Sequence, residues 1–306
     1  LVDSRGAVKS ALVDVKRPVA SVPSLAIHLD REANQARSIN AQTDIPLVLG
    51  VAEKGRDWSF KALLKQELVE SGYEVDQILD YEIYAYDTQA PAITGLDKEF
   101  IVSARLDNLL SCFVGASALF NGQSDGYPSL LVCNDHEEVG SASAAGAQGN
   151  LLKSVLDRLL PEPERRSRAI ARSMLISVDN AHGLHPNYAN KYDDNHGPLI
   201  NQGPVIKVNA SQRYASNSET SAVFRHLCHQ QDIPVQSFVV RSDMGCGSTI
   251  GPITATEIGV KTLDIGVPTF AMHSIRELAG SDDPFHLWRA LTTFYHLDKL
   301  PWSSCV

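Results

Sequence analysis

One segment organises the sequence: Leu130-Leu-Val-Cys-Asn-Asp-His-Glu-Glu-Val-Gly-Ser141. Its first half is apolar and rich in β-forming residues, which predicts a buried strand over 129–134, and its small residues after Gly140 predict the opening of a helix. Glu137 and Glu138 follow that strand directly, at the position where open α/β sheets bind their ligands. Two adjacent glutamates suit two tasks, since one can bind a metal ion while the other accepts a proton from bound water. The alternative for an isolated Glu-Glu pair is a solvated loop.

Composition limits the classes of protein to consider. The chain has 306 residues, of which 43% are hydrophobic and 21% charged, as is usual for a soluble globular protein. A net charge of -9 without a basic run argues against a nucleic-acid partner. The five cysteines, an odd number without CxxC spacing, favour a reducing compartment, so we expect a cytoplasmic protein. No apolar run reaches membrane-spanning length and no signal peptide is visible, so we expect no membrane partner.

The first 98 residues differ in pattern from the rest. Apolar alternation punctuated by proline predicts short strands at 11–19, 24–29 and 81–86, and helical spacing predicts one helix at 59–71. We therefore expect a small β-rich module over 1–98. His28 lies within its apolar run Leu25-Ala-Ile-His-Leu29, where a single histidine is more often structural than a ligand.

Residues 99–306 alternate between strand and helix patterns, which predicts a doubly wound α/β domain with a largely parallel sheet. The predicted strands are 100–106, 129–134, 174–178, 205–208, 235–240 and 261–265. The predicted helices are 108–120, 151–160, 218–230 and 284–296.

Chemically active side chains follow four of these strands. Asp107, the pair Glu137 and Glu138, Asp179 and His273 each come after a different strand, so we expect them to meet at one edge of the sheet. Carboxylates mixed with imidazole suit Zn²⁺, Mn²⁺ or Co²⁺. Two ions about 3.5–4 Å apart, bridged by one carboxylate, are the usual hydrolytic arrangement for such a set. The alternative is that the aspartates are helix N-caps.

Further motifs occur in a fixed order over most of residues 100–280. They are Arg105-Leu-Asp-Asn108, Asp135-His-Glu-Glu-Val-Gly140, Ser177-Val-Asp-Asn-Ala-His182, His185-Pro-Asn-Tyr188, Gly203-Pro-Val-Ile-Lys-Val-Asn209, Arg213-Tyr-Ala-Ser-Asn217, Cys246-Gly-Ser-Thr-Ile-Gly-Pro252 and Ala271-Met-His-Ser-Ile-Arg-Glu277. Together they resemble the aspartyl aminopeptidase family of metallopeptidases. The resemblance implies a zinc-peptidase-like α/β catalytic domain with a β-rich dimerisation domain, two zinc ions per subunit, peptide substrates, and homo-oligomers that are tetrahedral dodecamers built from dimers.

The resemblance also implies roles for individual residues. Asp107 resembles the carboxylate that bridges both metal ions. Asp179 resembles a ligand of one ion, and Glu138 and His273 resemble ligands of the other. Glu137 resembles the general base.

Two further residues resemble substrate-binding groups. Lys207 resembles a cation that meets an acidic substrate side chain, although an exposed lysine of an edge strand is the alternative. His28 resembles a histidine that reaches a neighbouring subunit's active site, or alternatively a metal ligand. His182 and His185, just past Asp179, have either a substrate or supporting role or a structural one.

One departure from the family pattern affects the functional prediction. The family's first metal ligand lies in a His-x-Asp-Ser-Pro motif, which this sequence lacks, and the chain begins Leu-Val-Asp without Met. We therefore expect a part of a longer protein, with one metal position incomplete. The predicted function is metal-dependent removal of N-terminal residues, preferably Asp or Glu, from peptides. The alternatives are a catalytically incomplete assembly protein and a glycosidase, but adjacent Glu137 and Glu138 cannot flank a glycosidic bond from opposite sides.

Overall fold

The computed structural model describes residues 1–52, 54–55, 58–122 and 126–301. The chain divides into two compact units, residues 1–89 and residues 90–306. The first unit carries few regular elements, whereas the second contains two β-sheets with helices packed on them.

The first unit contains two helices, α1 (Ala41–Asp44) and α2 (Phe60–Glu70). The helix predicted at 59–71 is confirmed, because Ser59 caps the start of α2 with its side chain and Ser71 ends it. Glu67 of α2 is buried and forms an ion pair with Arg17. That pair ties the helix to the N-terminal segment of the same unit.

The strands predicted in this unit are not observed. Among the described residues of 1–89, β-pairing is confined to the isolated bridges Val2–Val8, Val2–Gln77 and Ser21–Val48. Apolar alternation produces a strand when one face is buried against a partner surface. Here the alternating side chains, such as Leu12, Leu29 and Tyr84, are exposed within the single chain. The sequence pattern is therefore present without the surface that would bury it.

The second unit contains nine strands in two sheets among its described residues. They are β1 (Ala92–Thr94), β2 (Phe100–Ser103), β3 (Met174–Val178), β4 (Ala181–His182), β5 (Val205–Val208), β6 (Gln236–Val239), β7 (Lys261–Gly266), β8 (Pro268–Phe270) and β9 (Glu277–Gly280). One sheet has the order β1-β2-β9-β8-β4 and the other the order β3-β7-β5-β6.

Six helices accompany these sheets in the described part of the unit. They are α3 (Leu106–Asn121), α4 (Leu151–Leu159), α5 (Pro163–Ala171), α6 (Ser218–Gln230), α7 (Ile250–Ile258) and α8 (Asp283–Tyr295). The predicted α/β class is confirmed. The expected largely parallel sheet is wrong, because parallel pairs (β3–β7, β5–β6, β4–β8) are mixed with antiparallel ones (β1–β2, β2–β9, β8–β9, β5–β7).

The hydrophobic core lies between α3, α8 and the sheets. Leu110, Val114 and Ala118 of α3 are buried, as are Leu287 and Leu291 of α8, and all belong to one cluster with residues of β5, β7 and β9. Burying a side chain of this size contributes roughly 1.5–3 kcal/mol. The core therefore fixes the start of α3 relative to the sheets, which matters for Asp107.

The strand predicted at 129–134 is also not observed. These residues form no ladder with any described strand, and a lone extended segment without a neighbour is not a β-strand. Leu131 nevertheless packs near Gly115 of α3, so the segment lies against that helix. A 3₁₀ turn, Glu137–Val139, and a series of turns follow, and α4 begins only at Leu151. The helix expected to open after Gly140 is thus delayed by ten residues.

Candidate metal centre

Asp107 lies at the irregular start of α3. Its φ and ψ of -84° and 110° are not helical, and Arg105 before it makes no side-chain capping hydrogen bond. The Asn108 side chain donates to the Val178 carbonyl (2.8 Å), which joins this turn to the end of β3. The Asp107 side chain is 4% exposed. Among the described residues, Asp107 Oδ1 has no hydrogen-bond partner and Oδ2 faces His273 Nε2 at 3.3 Å, so neither oxygen is seen in the helix-cap role that was the alternative.

Asp179 follows β3 directly. Its backbone N–H donates to the Ile265 carbonyl of the neighbouring strand β7 (2.9 Å). Gly266 permits this approach, because a Cβ at that position would lie 1.8 Å from the Asp179 carbonyl oxygen. The carboxyl groups of Asp179 and Asp107 are close enough to share a hydrogen bond.

Glu137 and Glu138 lie in the 3₁₀ turn, which is held from within its own loop. The Ser141 N–H donates to the His136 carbonyl (2.8 Å), and the His136 ring is hydrogen-bonded to the Ser143 hydroxyl (2.7 Å). Both His136 and Ser141 have a positive φ, which tightens the loop around the two glutamates. The loop therefore presents Glu138 and Glu137 without support from a strand.

His273 lies between β8 and β9, in a turn closed by a hydrogen bond from Ser274 N–H to the Ala271 carbonyl (2.9 Å). Its Nε2 is 2.9 Å from Glu138 Oε2 and 3.3 Å from Asp107 Oδ2. The sequence placed His273 after the strand at 261–265, but β8 intervenes. Asp107, Glu138 and His273 do come together. Asp107 and His273 lie beside strands of one sheet, whereas Glu138 follows no strand and Asp179 follows β3 of the other sheet.

The resulting cluster has the donor set of a zinc site. Ligand atoms of Asp107, Glu138 and His273 lie within 4.8 Å of one another. Zinc bonds of about 2.0–2.2 Å in tetrahedral geometry separate ligand atoms by roughly 3.3–3.5 Å, close to the distances observed here. Among the described residues, Asp107 Oδ1 is a buried acceptor without a hydrogen-bond partner. A bound cation would satisfy it, so these residues fit zinc.

The electrostatics of the cluster agree with this donor set. Burial, together with the nearby negative charges of Asp179 and Glu138, raises the pKa of Asp107 to about 9. Burial together with the charges of Asp179 and Glu138 raises the pKa of Glu137 to about 7, against the opposing effect of Lys207 and His273. A crowd of carboxylates in a partly buried site favours a bound cation, which removes their mutual repulsion.

Lys207 is buried in β5, which lies between β6 and β7. The alternative of an exposed edge-strand lysine is therefore wrong. Its Nζ donates to Asp179 Oδ2 (3.1 Å) and to the Asn180 carbonyl (2.9 Å), and it lies 5.4 Å from the centre of the Tyr214 ring. An ammonium has three N–H donors, so one remains beyond these two contacts.

A cavity of about 290 Å³ adjoins His273. His182 and His185 line it, together with Tyr192, Phe270 and Met272. Burial lowers the pKa of His182, and the nearby positive charge of Lys207 lowers it further. The cavity thus offers an apolar wall and neutral imidazole beside the cluster.

Two further residues, His28 and Glu277, differ from what the sequence predicted. His28 belongs to the first unit, where it is exposed in a turn rather than in the predicted strand. Glu277 received no role from the sequence, yet its buried carboxylate accepts hydrogen bonds from the backbone N–H groups of Asp107 and His273, both at 2.7 Å. The only signal was its place four residues after His273, at the start of an apolar strand.

The sequence of this chain matches a known protein family. The family described as "Aminopeptidase I zinc metalloprotease (M18)" matches residues 1–295. The "Probable M18 family aminopeptidase 2" of Pseudomonas syringae pv. syringae (strain B728a) is 58% identical over 297 residues, which cover 97% of this chain and 69% of that protein.

Solved structures agree with the family. A cryo-EM structure of the Ape4 and Nbr1 complex superposes with a TM-score of 0.88 at 36% identity, covering 96% of this chain and 61% of that one. The S. cerevisiae mApe1 dodecamer superposes with a TM-score of 0.78 at 27% identity, covering 96% of this chain and 66% of that one. The chain thus spans about two thirds of the length of its relatives.

None of the described helices has the length and apolar content needed to cross a membrane. The family match extends over nearly the whole chain, and Asp107, Glu138 and His273 form a group that could hold a metal ion. The chain belongs to the M18 family of zinc metallo-aminopeptidases, which hydrolyse peptide bonds.

Proposed function

We propose that this protein removes N-terminal residues from peptides with the aid of zinc bound at Asp107, Glu138 and His273. The observation that carries the proposal is the approach of these three side chains to within 4.8 Å, beside a third carboxylate, Glu137, with a raised pKa. Bound zinc supplies a water of lowered pKa and polarises the scissile carbonyl. All other steps fall to the protein's own side chains.

Two zinc ions per subunit are proposed, with Asp107 shared between them. Glu138 and His273 complete one position, while Asp179 is the second ligand of the other. Mn²⁺ or Co²⁺ should substitute for zinc, because both accept the same mixture of carboxylate and imidazole.

Glu137 is proposed as the general base. It takes a proton from the attacking water and returns it to the leaving amine. A carboxyl whose pKa lies near neutrality can perform both transfers at neutral pH. Its neighbour Glu138 cannot share this task, since its carboxylate already faces His273.

A preference for N-terminal Asp or Glu is proposed for Lys207. The ammonium keeps one N–H donor after its bonds to Asp179 and Asn180, and this donor is proposed to meet the acidic side chain of the substrate. A charge-assisted contact of this kind contributes roughly 1.5–3 kcal/mol.

Assembly into homo-oligomers is proposed for the first unit. Its exposed apolar side chains, including Leu12, Val51 and Tyr84, would be covered by a second copy of the chain. The dodecamer of the yeast relative supports a larger assembly, which we propose to be tetrahedral and built from such dimers. We propose that His28 then lies close to a neighbouring subunit's substrate.

The cytoplasm is the proposed location. The four described cysteines, Cys112, Cys133, Cys228 and Cys246, are all free thiols, which a reducing compartment preserves.

Hydrolysis of short peptides with a free N-terminus tests the proposed activity. A chelator should abolish it, and Zn²⁺, Mn²⁺ or Co²⁺ should restore it. The same peptides with an acetylated N-terminus are the matched control and should not be cleaved. A correctly assembled, zinc-loaded protein without hydrolysis would instead favour the non-catalytic assembly protein.

A further inference from the structure

Glu277 is a buried carboxylate that touches two separate parts of the metal centre. It is the first residue of β9 and is 2% exposed. Its Oε2 accepts the N–H of Asp107 and its Oε1 accepts the N–H of His273, both at 2.7 Å. Asp107 lies 170 residues away in the sequence, whereas His273 lies four residues away. One side chain therefore joins the start of α3 to the turn that carries the histidine.

Neither residue that Glu277 contacts is held by regular structure at its own backbone. Asp107 has non-helical angles at the start of α3. His273 has a φ of 67°, in the left-handed region that costs energy for a residue with a Cβ. The His273 side chain is 63% exposed, so packing does little to fix it. The hydrogen bond from its own backbone N–H to Glu277 helps to hold this conformation, beside the Ser274–Ala271 hydrogen bond that closes the turn.

A carboxylate is the only side chain suited to this place. Both of its oxygens accept hydrogen bonds, and it carries no N–H that would oppose the two donors. A glutamine of the same shape would keep one acceptor and turn an NH₂ group towards the other backbone N–H. Ion-assisted contacts are also shorter and stronger than neutral ones, as the 2.7 Å distances indicate.

We propose that Glu277 is a positioning residue, which sets the spacing of the Asp107 and His273 ligand atoms and thereby the affinity of the metal centre. It does not touch the metal or the substrate; it acts through the backbone of the two ligands. This inference rests on the proposed zinc site. It gives a role to Glu277, which is neither a proposed ligand nor the proposed base.

Zinc affinity of the Glu277→Gln variant is the first test. Titration of the metal-free protein with Zn²⁺ should give a Kd roughly 10–100-fold weaker than that of the unaltered protein, the usual cost of losing a group that orients a ligand. Glu277→Asp, which retains the charge but has a shorter reach, should give an intermediate Kd and covers the case in which the glutamine variant does not fold.

Asp283→Asn is the matched control. Asp283 is also fully buried and also accepts two backbone N–H groups, those of Asn201 (2.7 Å) and Gly203 (2.8 Å), neither of which belongs to a proposed ligand. This variant should lose stability and keep its zinc Kd. Equal weakening of zinc binding in both variants would show that Glu277 has only a structural part.

A second measurement needs no metal. In the metal-free protein, the ¹H–¹⁵N amide signals of Asp107 and His273 should shift in Glu277→Gln and not in Asp283→Asn. Unshifted amides together with an unchanged zinc Kd would overturn the positioning role. Absence of zinc binding by the unaltered chain would instead refute the proposed metal site, so the two failures are distinguishable.

Discussion

The Lys207 ammonium lies 3.1 Å from the Asp179 carboxylate, and both groups are largely buried, with 3% and 15% of their side chains exposed. The pair places one positive charge beside a cluster of carboxylates and the His273 imidazole. Breaking a buried pair by removing one partner leaves the other charge uncompensated, which is costly. Lys207 is therefore connected to the metal centre by its ion pair with Asp179, independently of any contact between Lys207 and the substrate.

Lys207→Met tests the acidic preference. Methionine keeps the length of the side chain and removes its charge. The ratio of kcat/KM for acidic over neutral N-termini should fall by about one to two decades, because the proposed contact is worth roughly 1.5–3 kcal/mol. Neutral substrates also lose activity through Asp179, so the ratio is the informative quantity. An equal loss for Asp, Leu and Ala substrates would restrict Lys207 to its partnership with Asp179.

Glu137→Gln and Glu138→Gln should separate the two adjacent carboxylates. The Glu137 variant should keep its zinc and lose roughly 10²–10⁴-fold in kcat, the range for general acid–base catalysis. The Glu138 variant should lose zinc, since Glu138 faces His273 Nε2 at 2.9 Å. Metal analysis beside steady-state kinetics distinguishes them. Near-normal turnover by a zinc-loaded Glu137→Gln protein would remove this residue from the mechanism.

Stability should depend on pH through Asp283. Burial raises its pKa to about 6 from an ordinary 3.8, so the folded state retains a proton that the unfolded chain has released. The stabilisation of the folded state by protonated Asp283 is fully present below about pH 4. It is lost as the pH rises through 6, and the total loss is about 3 kcal/mol.

The measurement is urea unfolding between pH 4 and pH 7 for the unaltered protein, Asp283→Asn, and a control at the exposed Asp232. The Asp283 variant should lose less of its free energy of unfolding over this range, and the Asp232→Asn control should follow the unaltered protein. Parallel curves for all three proteins would contradict the raised pKa.

Mixing subunits tests the proposed position of His28. Equimolar His28→Ala and Glu137→Gln subunits, each inactive alone, should regain about a quarter of the unaltered activity if random two-fold dimers place His28 in the neighbour's site. Unmixed variants carried through the same dissociation and reassembly are the control. Verified hybrids that stay inactive would confine His28 to its own subunit.

The sequence correctly predicted those elements whose apolar side chains pack against other elements of the same chain. The strands at 174–178 and 205–208 and the helix at 218–230 appear at the predicted residues, because their apolar faces pack into the described core. The segment 129–134 has the composition of a strand but lacks a hydrogen-bonded neighbour, and composition alone does not report pairing. Helix α5 was missed because its charged sequence carries little apolar periodicity.

The approach of Asp107, Glu138 and His273 could be predicted because carboxylates and imidazole near strand ends are typical of metal sites, although the strand expected before Glu138 does not form. Glu277 could not, since its part is to accept backbone hydrogen bonds, and such contacts depend on the fold rather than on the residue types of the partners. Likewise, nothing in the sequence showed that Lys207 pairs with Asp179, since the two lie 28 residues apart.

Crystals of the protein grown with zinc, measured at the zinc absorption edge, test the central claim most directly. We expect an anomalous difference peak bonded to carboxylate oxygens of Asp107 and Glu138 and to His273 Nε2, at about 2.0–2.2 Å from each. A weaker second peak beside Asp107 and Asp179 would agree with a second ion. An anomalous peak that avoids Asp107, or a fully zinc-equilibrated crystal without any peak near these side chains, would contradict the proposed metal centre.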